Sequence, residues 1–427
     1  MTITSEPSVF ERWTSGRSVV SLGTNDGAPG LPFQWWHHFK EAFTPELIEQ
    51  AIRASDAPVD SCFDPFGGSG TTALTAQMLG VASETIEINP FLADVIRAKV
   101  GSYDADRLVA DLAAIRVASR TSAPKSTEML GALPPTFIYP GVRDRWIFST
   151  GIALRLTAVL AAIRDRSSSP ENRRLFEVLL GGMLVDVSNV VVSGKGRRYR
   201  KNWQSCERDP AIVDQVFARR AEIAIREVHR FADRPAAPAR VITGDARSTV
   251  PEGMHDLAVF SPPYPNSFDY TDVYNVQLWM LGYLQTSQDN RSLRQSTLTS
   301  HVQTARQYAP PPPGSPALDR ALESLHAQRT QLWNSSLPDM VGAYFSDMLA
   351  VLRNVRQRLR IGGRCWLVVG DSSYAGTRIP VATILEQLSS TQGWELLGST
   401  PIRHMKSSAQ QGWRHELAES LVILRAA

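Results

Sequence analysis

The chain has 427 residues, 43% hydrophobic and 20% charged, with a formal net charge of +3, proportions of a soluble globular protein with room for two or three lobes. So small a positive excess excludes a uniformly basic nucleic-acid-binding face, and any such surface has to be a local cluster. Three scattered cysteines, Cys62, Cys206 and Cys365, form neither a metal spacing nor a disulfide framework, so a reducing cytoplasm is the expected compartment.

The opening "MTITSEPSVFERW" lacks the basic and apolar segments of a signal peptide. Residues 1–30, rich in Ser, Thr, Gly and Pro, are expected to form a flexible arm. In "FTPELIEQAI", Thr44 suits a helix N-cap, Pro45 suits the first helical position, and Leu47, Ile48 and Ala51 give an apolar face at helical spacing. Next, "VDSCFDPFGGSGTTALTAQMLG" reads as a short strand, a glycine turn and a helix from about Thr71, and "ASETIEINP" as a second strand ending at Glu87. Strand, glycine turn, helix and strand within about 30 residues make a βαβ unit of the doubly wound α/β class.

Residues 101–239 have mainly helical periodicity, clearest in "GIALRLTAVLAAIRDR" and "AEIAIREVHRFAD", and are expected to be an inserted helical domain. Its longest apolar run, Leu175 to Val192, carries Glu177, Asp186 and a Gly181-Gly182 pair, which predicts a buried helix followed by a strand and not a membrane span. The α/β pattern resumes at about residue 240 with "ARVITGDARS" and "DLAVFSPPY". A polar stretch from about 284 to 338, centred on Pro310 to Pro313, is expected to be an irregular flap. A helix, the strand "RCWLVVGDSS", another helix, and an antiparallel pair in "WELLGSTPIR" and "ESLVILRA" complete the chain.

The turn "DPFGGSGTT" is open to three chemistries. A P-loop needs a lysine after its last glycine, and Thr71 stands there, so nucleotide hydrolysis is disfavoured. A nicotinamide dinucleotide fits the glycine pattern, with Glu87 placed to hold a ribose. S-adenosylmethionine fits too: Asp64 can accept from its ammonium, the turn amides and the helix start favour its carboxylate, and Glu87 can accept the ribose hydroxyls. Asp245, at the end of another strand, can accept from an adenine amine.

"FDPFGGSGTT" together with "SPPY" resembles the amino-group DNA methyltransferases, which methylate the N4 nitrogen of cytosine or the N6 nitrogen of adenine. The resemblance covers about 33–100 and 240–425. It implies a Rossmann-like class I methyltransferase sheet with a terminal antiparallel strand pair, formed by 31–100 and 240–427, and S-adenosylmethionine as cofactor. It implies a cofactor site of Asp64, Phe66, Gly68, Gly70, Thr71, Thr72, Glu87, Asn89 and Asp245, with Thr44 from "WWHHFKEAFTPELI". It assigns the target base to Ser261, Pro262, Pro263 and Tyr264.

Physical chemistry supports that second assignment. The lone pair of a base amine is delocalised into the ring, so methylation needs acceptors that hold the amine hydrogens while the nitrogen becomes pyramidal. The Ser261 hydroxyl and the Pro262 carbonyl are two such acceptors, held rigidly by consecutive prolines, and Tyr264 offers a stacking face for an extruded base. Methylation at cytosine C5 needs a cysteine nucleophile, and none follows a proline here. Within the family a serine in the first position resembles the cytosine-N4 branch. Adenine N6, and after it an RNA base, are the alternatives.

The densest basic cluster, "SGKGRRYRKNWQ", sets Lys195, Arg197, Arg198, Arg200 and Lys201 around Tyr199 and is the expected contact to double-stranded DNA. Full engagement of five charges would give a log-log salt slope of about −4 to −5. The resemblance leaves room for a cognate restriction or defence-system protein as a partner, and no metal or membrane is expected.

Overall fold

The structure, a computed structural model, describes residues 6–25, 27–39, 41–120, 130–131, 133–193, 196–205, 208–406 and 416–427. Its centre is a seven-stranded sheet. In chain order the strands of the whole structure are β1 (Ser61–Asp64), β2 (Ala82–Glu87), β3 (Val190–Ser193), β4 (Gly196–Tyr199), β5 (Ala239–Thr243), β6 (His255–Phe260), β7 (Leu359–Gly370), β8 (Ser372–Tyr374), β9 (Thr377–Ile379), β10 (Trp394–Lys406) and β11 (Glu416–Ala426). The sheet runs β10-β11-β7-β6-β1-β2-β5. β7, β6, β1, β2 and β5 are parallel, while β11 lies antiparallel to both β7 and β10. Central strands such as "DLAVF" read as unbroken apolar runs because helices cover both faces.

The helices are α1 (Val9–Thr14), α2 (Pro45–Arg53), α3 (Thr71–Met78), α4 (Pro90–Val100), α5 (Ala105–Ala118), α6 (Thr150–Arg166), α7 (Pro170–Met183), α8 (Ala211–Arg230), α9 (Tyr270–Val273), α10 (Asn275–Met280), α11 (Ser287–Ser296), α12 (Pro316–Ala327), α13 (Leu337–Arg358) and α14 (Val381–Ser390). α12, α13 and α14 bury Leu325, Met348, Leu352 and Leu385 in one core with the sheet residues Phe63, Ala258 and Leu367. From β1 the chain builds outward through β2 and β5, whereas β6 pairs on the other side of β1. The strand order therefore reverses between β1 and β6, where doubly wound sheets bind ligands beyond their carboxyl ends.

The block between α4 and β5 is helical as its periodicity predicts, with α5 to α8 and one hairpin, β3–β4. It shares a single core with its surroundings: Phe176, Leu179 and Phe217 cluster with Trp36, Phe91 and Trp279. Glu227 of α8 fastens the N-terminal segment to this block. It accepts from the Phe33 amide at 2.9 Å, Trp35 Nε1 at 2.5 Å and Trp36 Nε1 at 2.9 Å.

Two regions differ from expectation. Within residues 6–25, part of the expected flexible arm, α1 carries a Ser8–Glu11 capping box and buries Phe10 and Trp13. The Trp13 indole donates to the Pro32 carbonyl at 2.9 Å. Two aromatic anchors outweigh a Ser- and Gly-rich composition. The expected irregular flap contains α11 and α12. α11 buries no residue, so it lacks the apolar stripe by which periodicity reveals a helix.

Candidate active site

A cavity of about 390 Å³ opens at the reversal point and is lined by both motifs, from Asp64 to Ser69 with Thr71 and Thr72, and from Ser261 to Tyr264. Its size lies within the range of small-molecule pockets, about 300–1,000 Å³. Asp64 ends β1 and is buried. The turn after it needs left-handed backbone at Gly68 (φ +52°) and Gly70 (φ +81°), and a side chain at Gly70 would press on Ile96. α3 then starts with no side-chain cap, leaving Thr71 and Thr72 of its first turn on the cavity wall.

Two carboxylates define this end of the cavity. Asp64 accepts from the Phe66 amide at 2.8 Å, and burial pushes its carboxyl up to about 7 against that bond and one from Thr72. Glu87, ending β2, accepts from the amides of Gly68 at 2.7 Å and Asn89 at 2.8 Å. Burial likewise raises it to about 7. Two buried carboxyls lining an open cavity suit a ligand bearing a cation and hydroxyls. Beneath the turn, fully buried Lys99 donates to the Ser69 carbonyl at 2.7 Å and to Gln34 Oε1 at 2.9 Å, and burial lowers it to about 7. Nothing in the sequence singled out Lys99.

Other expected cofactor residues have defined places. Phe66 and Asn89 line the cavity, and Asn89 Oδ1 also caps α4 by accepting from Phe91 and Leu92. Asp245 lines it too, but Arg247 grips its carboxylate through Nε and Nη2, at 3.0 and 2.7 Å, while reaching Asp347 at 2.9 Å. Thr44 lies outside the lining; its hydroxyl is buried without a hydrogen-bond partner among the described residues. Gly70 shapes the turn and does not line the cavity. Phe39, Tyr270 and Tyr274 complete an aromatic wall that no motif indicated, Phe39 and Tyr274 being parallel at 5.9 Å.

Ser261 directly follows β6, the strand beside β1. Its hydroxyl lies 3.2 Å from Tyr264 Oη, which donates to Glu419 Oε1 at 2.9 Å. Glu419, on β11, is buried and lines the cavity; with no motif around it, nothing in the sequence singled it out. Cys62 and Cys365 are buried and burial pushes both thiols up, so neither offers a thiolate; Cys206 lies outside the described residues. Among the described residues no His, Cys, Asp and Glu group has a metal-binding arrangement, and no helix is long and apolar enough to cross a membrane.

Residues 12–98 match the N6/N4 DNA methylase family. The chain is 22% identical over 447 aligned positions to the type II methyltransferase M.BsoBI of Geobacillus stearothermophilus, covering 94% of this chain and 86% of that one. It is 23% identical to the type II methyltransferase M.AvaI of Nostoc sp., covering 93% and 86%. A 72-residue segment is 35% identical to the type II methyltransferase M.MjaII of Methanocaldococcus jannaschii, covering 17% and 14%. These matches support the amino-group DNA methyltransferase family for this chain.

The protein places its basic cluster on the β3–β4 hairpin, which packs against α9 beside the cavity. Arg198 and Lys201 are exposed. Arg197 is half-buried, 4.0 Å from Asp272. Arg200 departs from its expected role: its guanidinium donates to the Ser188 carbonyl at 3.0 Å and the Val185 carbonyl at 2.9 Å, bracing the hairpin. Lys195 lies outside the described residues. Tyr199 and Trp203 lie 4.5 Å apart with their rings tilted by 30°, Trp203 meets Trp146 at 4.6 Å, and Trp146 meets exposed Tyr139 at 4.9 Å. This row of rings joins the hairpin to residues 139–146, a second loop that the sequence did not mark.

Proposed function

We propose that this methyltransferase transfers the methyl group of S-adenosylmethionine to the exocyclic N4 amine of a cytosine within a defined sequence of double-stranded DNA. The carrying observation is that the carboxylates of the glycine turn and the acceptors of the SPPY segment line one cavity. The donor set fits the cofactor: Asp64 accepts from its ammonium, the first turn of α3 faces its carboxylate, Glu87 accepts the ribose hydroxyls, and Asp245 accepts from the adenine amine. When bound, S-adenosylmethionine supplies an electrophilic methyl group.

The protein's own part is to position the acceptor nitrogen. The target base leaves the duplex at a cost of roughly a few kcal/mol. Ser261 Oγ and the Pro262 carbonyl accept the amine hydrogens, drawing the nitrogen lone pair out of conjugation, while Pro262-Pro263 limits their movement. Tyr264 lends its ring to the base. Arg197, Arg198, Tyr199 and Lys201 hold the duplex beside the cavity. Serine at the first position of the tetrad supports cytosine over adenine. Nucleoside mass spectrometry on DNA from a methylation-free host expressing the protein tests this directly. N4-methylcytosine is expected; N6-methyladenine would transfer the same mechanism to adenine, and methyl label found only in RNA would overturn the proposal.

A further inference from the structure

We propose that Glu419 is a positioning residue that orients Ser261 through Tyr264 and is the final acceptor of the proton released by the target amine. This rests on the proposed function, which puts the amine at Ser261.

The hydrogen-bond directions are fixed by elimination. A phenol carries one proton and an ionised carboxylate donates none, so Tyr264 donates to Glu419 Oε1. The 3.2 Å contact between Ser261 Oγ and Tyr264 Oη then has the serine as donor. The lone pairs of Ser261 are left to accept from the amine. Without Glu419, the Tyr264 proton can turn back to Ser261, and Ser261 can direct its own proton at the base.

The same chain of bonds balances the reaction. A newly methylated amine nitrogen carries one proton more than the product. Its N–H bond breaks with the electron pair staying on nitrogen, and the proton forms an O–H bond on Ser261. The serine's original proton passes to Tyr264 Oη, and the phenolic proton passes to Glu419 Oε1. Ser261 and Tyr264 end neutral, as they began, and Glu419 ends as the acid.

Most other bases lining the cavity are engaged elsewhere: Arg247 grips Asp245, Arg378 binds Asp371 at 2.8 and 2.5 Å, Asp64 and Glu87 accept from amides of the glycine turn, and His301 meets Thr304 and Arg306. Exposed Glu41 also lines the cavity, where its charge acts on Tyr270 and Tyr274. Around Glu419, Arg403 pairs opposite it on β10, Tyr264 donates to it, and its charge acts on Tyr270. Asp371 lies at the end of the neighbouring strand, its amide donating to the Ala418 carbonyl at 2.9 Å. Oε2 has no hydrogen-bond partner among the described residues, and a side chain at Gly23 would come within 2.6 Å of it. Burial, against the Tyr264 bond and the Arg403 charge, raises the Glu419 carboxyl above its usual range and strengthens it as a base.

The test begins with the free protein. Infrared difference titration should show a protonated-carboxyl band that is absent in E419Q and moves to higher pH in Y264F, which lacks the donor that favours the carboxylate. A band unchanged in Y264F would overturn the relay. With duplex DNA and saturating methyl donor, the wild-type single-turnover rate should fall as pH drops through that midpoint. E419Q should be slower by about 100-fold and lose this acidic limb, with cofactor affinity unchanged by calorimetry, and E419D should recover part of the rate. E419Q keeping both the wild-type rate and the limb would overturn the relay while leaving the proposed function intact. Absence of methyl transfer by the wild-type protein would overturn the proposed function instead.

Discussion

Glu87 accepts the amide of Gly68, nineteen residues before it, at 2.7 Å, so the carboxylate expected to hold a ribose also sets the shape of the glycine turn. With the Asn89 amide on its other oxygen, one side chain ties the ends of β1 and β2 together. Replacing it with glutamine puts a donor where an acceptor is needed and leaves one of these amides without a partner. E87Q is expected to weaken cofactor binding at least about tenfold, a loss of about 1.4 kcal/mol, with DNA affinity nearly unchanged. Calorimetry on wild type and variant measures this, and equal affinities would remove Glu87 from the site.

Asp64 makes stability and function oppose each other. Its carboxyl titrates near 3.8 when unperturbed and at about 7 in the folded protein. Between those values the folded state binds more protons than the unfolded state, so this group's contribution to stability falls as pH rises from about 4 to about 7. Asp64→Asn keeps an acceptor for the Phe66 amide and removes the buried charge. Its melting temperature should exceed that of wild type at pH 8 by at least about 2 °C, and the gap should shrink at pH 5. Cofactor binding should be lost, and the wild-type affinity for the cationic cofactor should rise with pH through about 7. Thermal scans and titrations at the two pH values read both effects; a variant less stable at pH 8 than at pH 5, relative to wild type, would contradict the assignment.

The acceptor role of Ser261 gives a prediction independent of Glu419. Ser261→Ala removes a hydroxyl that lies 3.2 Å from Tyr264 Oη. Turnover should fall by about 100-fold or more, with cofactor affinity unchanged within about twofold. Rapid-quench measurement of the methyl-transfer step, alongside calorimetry, separates the two quantities. A variant with wild-type turnover would move the amine contact from Ser261 to the Pro262 carbonyl alone.

The central sheet was legible because its information is local. "FDPFGGSGTT" and "DLAVFSPPY" each carry a strand and its end within a few residues, and adjacent strands bring those ends together. Glu419 was not legible, because its meaning depends on β11 lying beside β7, 155 residues after Tyr264. Lys99 was hidden for a related reason: only the packing of α4 beneath the turn makes a lysine an internal donor. The basic hairpin was found by charge density, but density cannot separate a contact from a brace, and Arg200 is a brace.

That distinction predicts different behaviour for neighbouring arginines. Arg198 and Lys201 are exposed on or beside the hairpin next to the cavity, so each alanine variant should weaken binding to DNA of any sequence and reduce the log-log salt slope by about 1. Arg200→Ala removes donors from the Val185 and Ser188 carbonyls and should act on the protein first. A lower melting temperature is expected, because one carbonyl group of a buried serine loses its partner. Fluorescence anisotropy across a salt series, set beside thermal scans, resolves the three variants. An Arg200→Ala protein that melts like wild type yet loses a unit of salt slope would return Arg200 to the DNA interface. Tyr139→Ala and Trp146→Ala extend the test to the aromatic row, whose rings sit between the two loops. If these rings stack on bases, both variants should bind single-stranded DNA more weakly, by about 1–3 kcal/mol per lost stack, while keeping the wild-type salt slope.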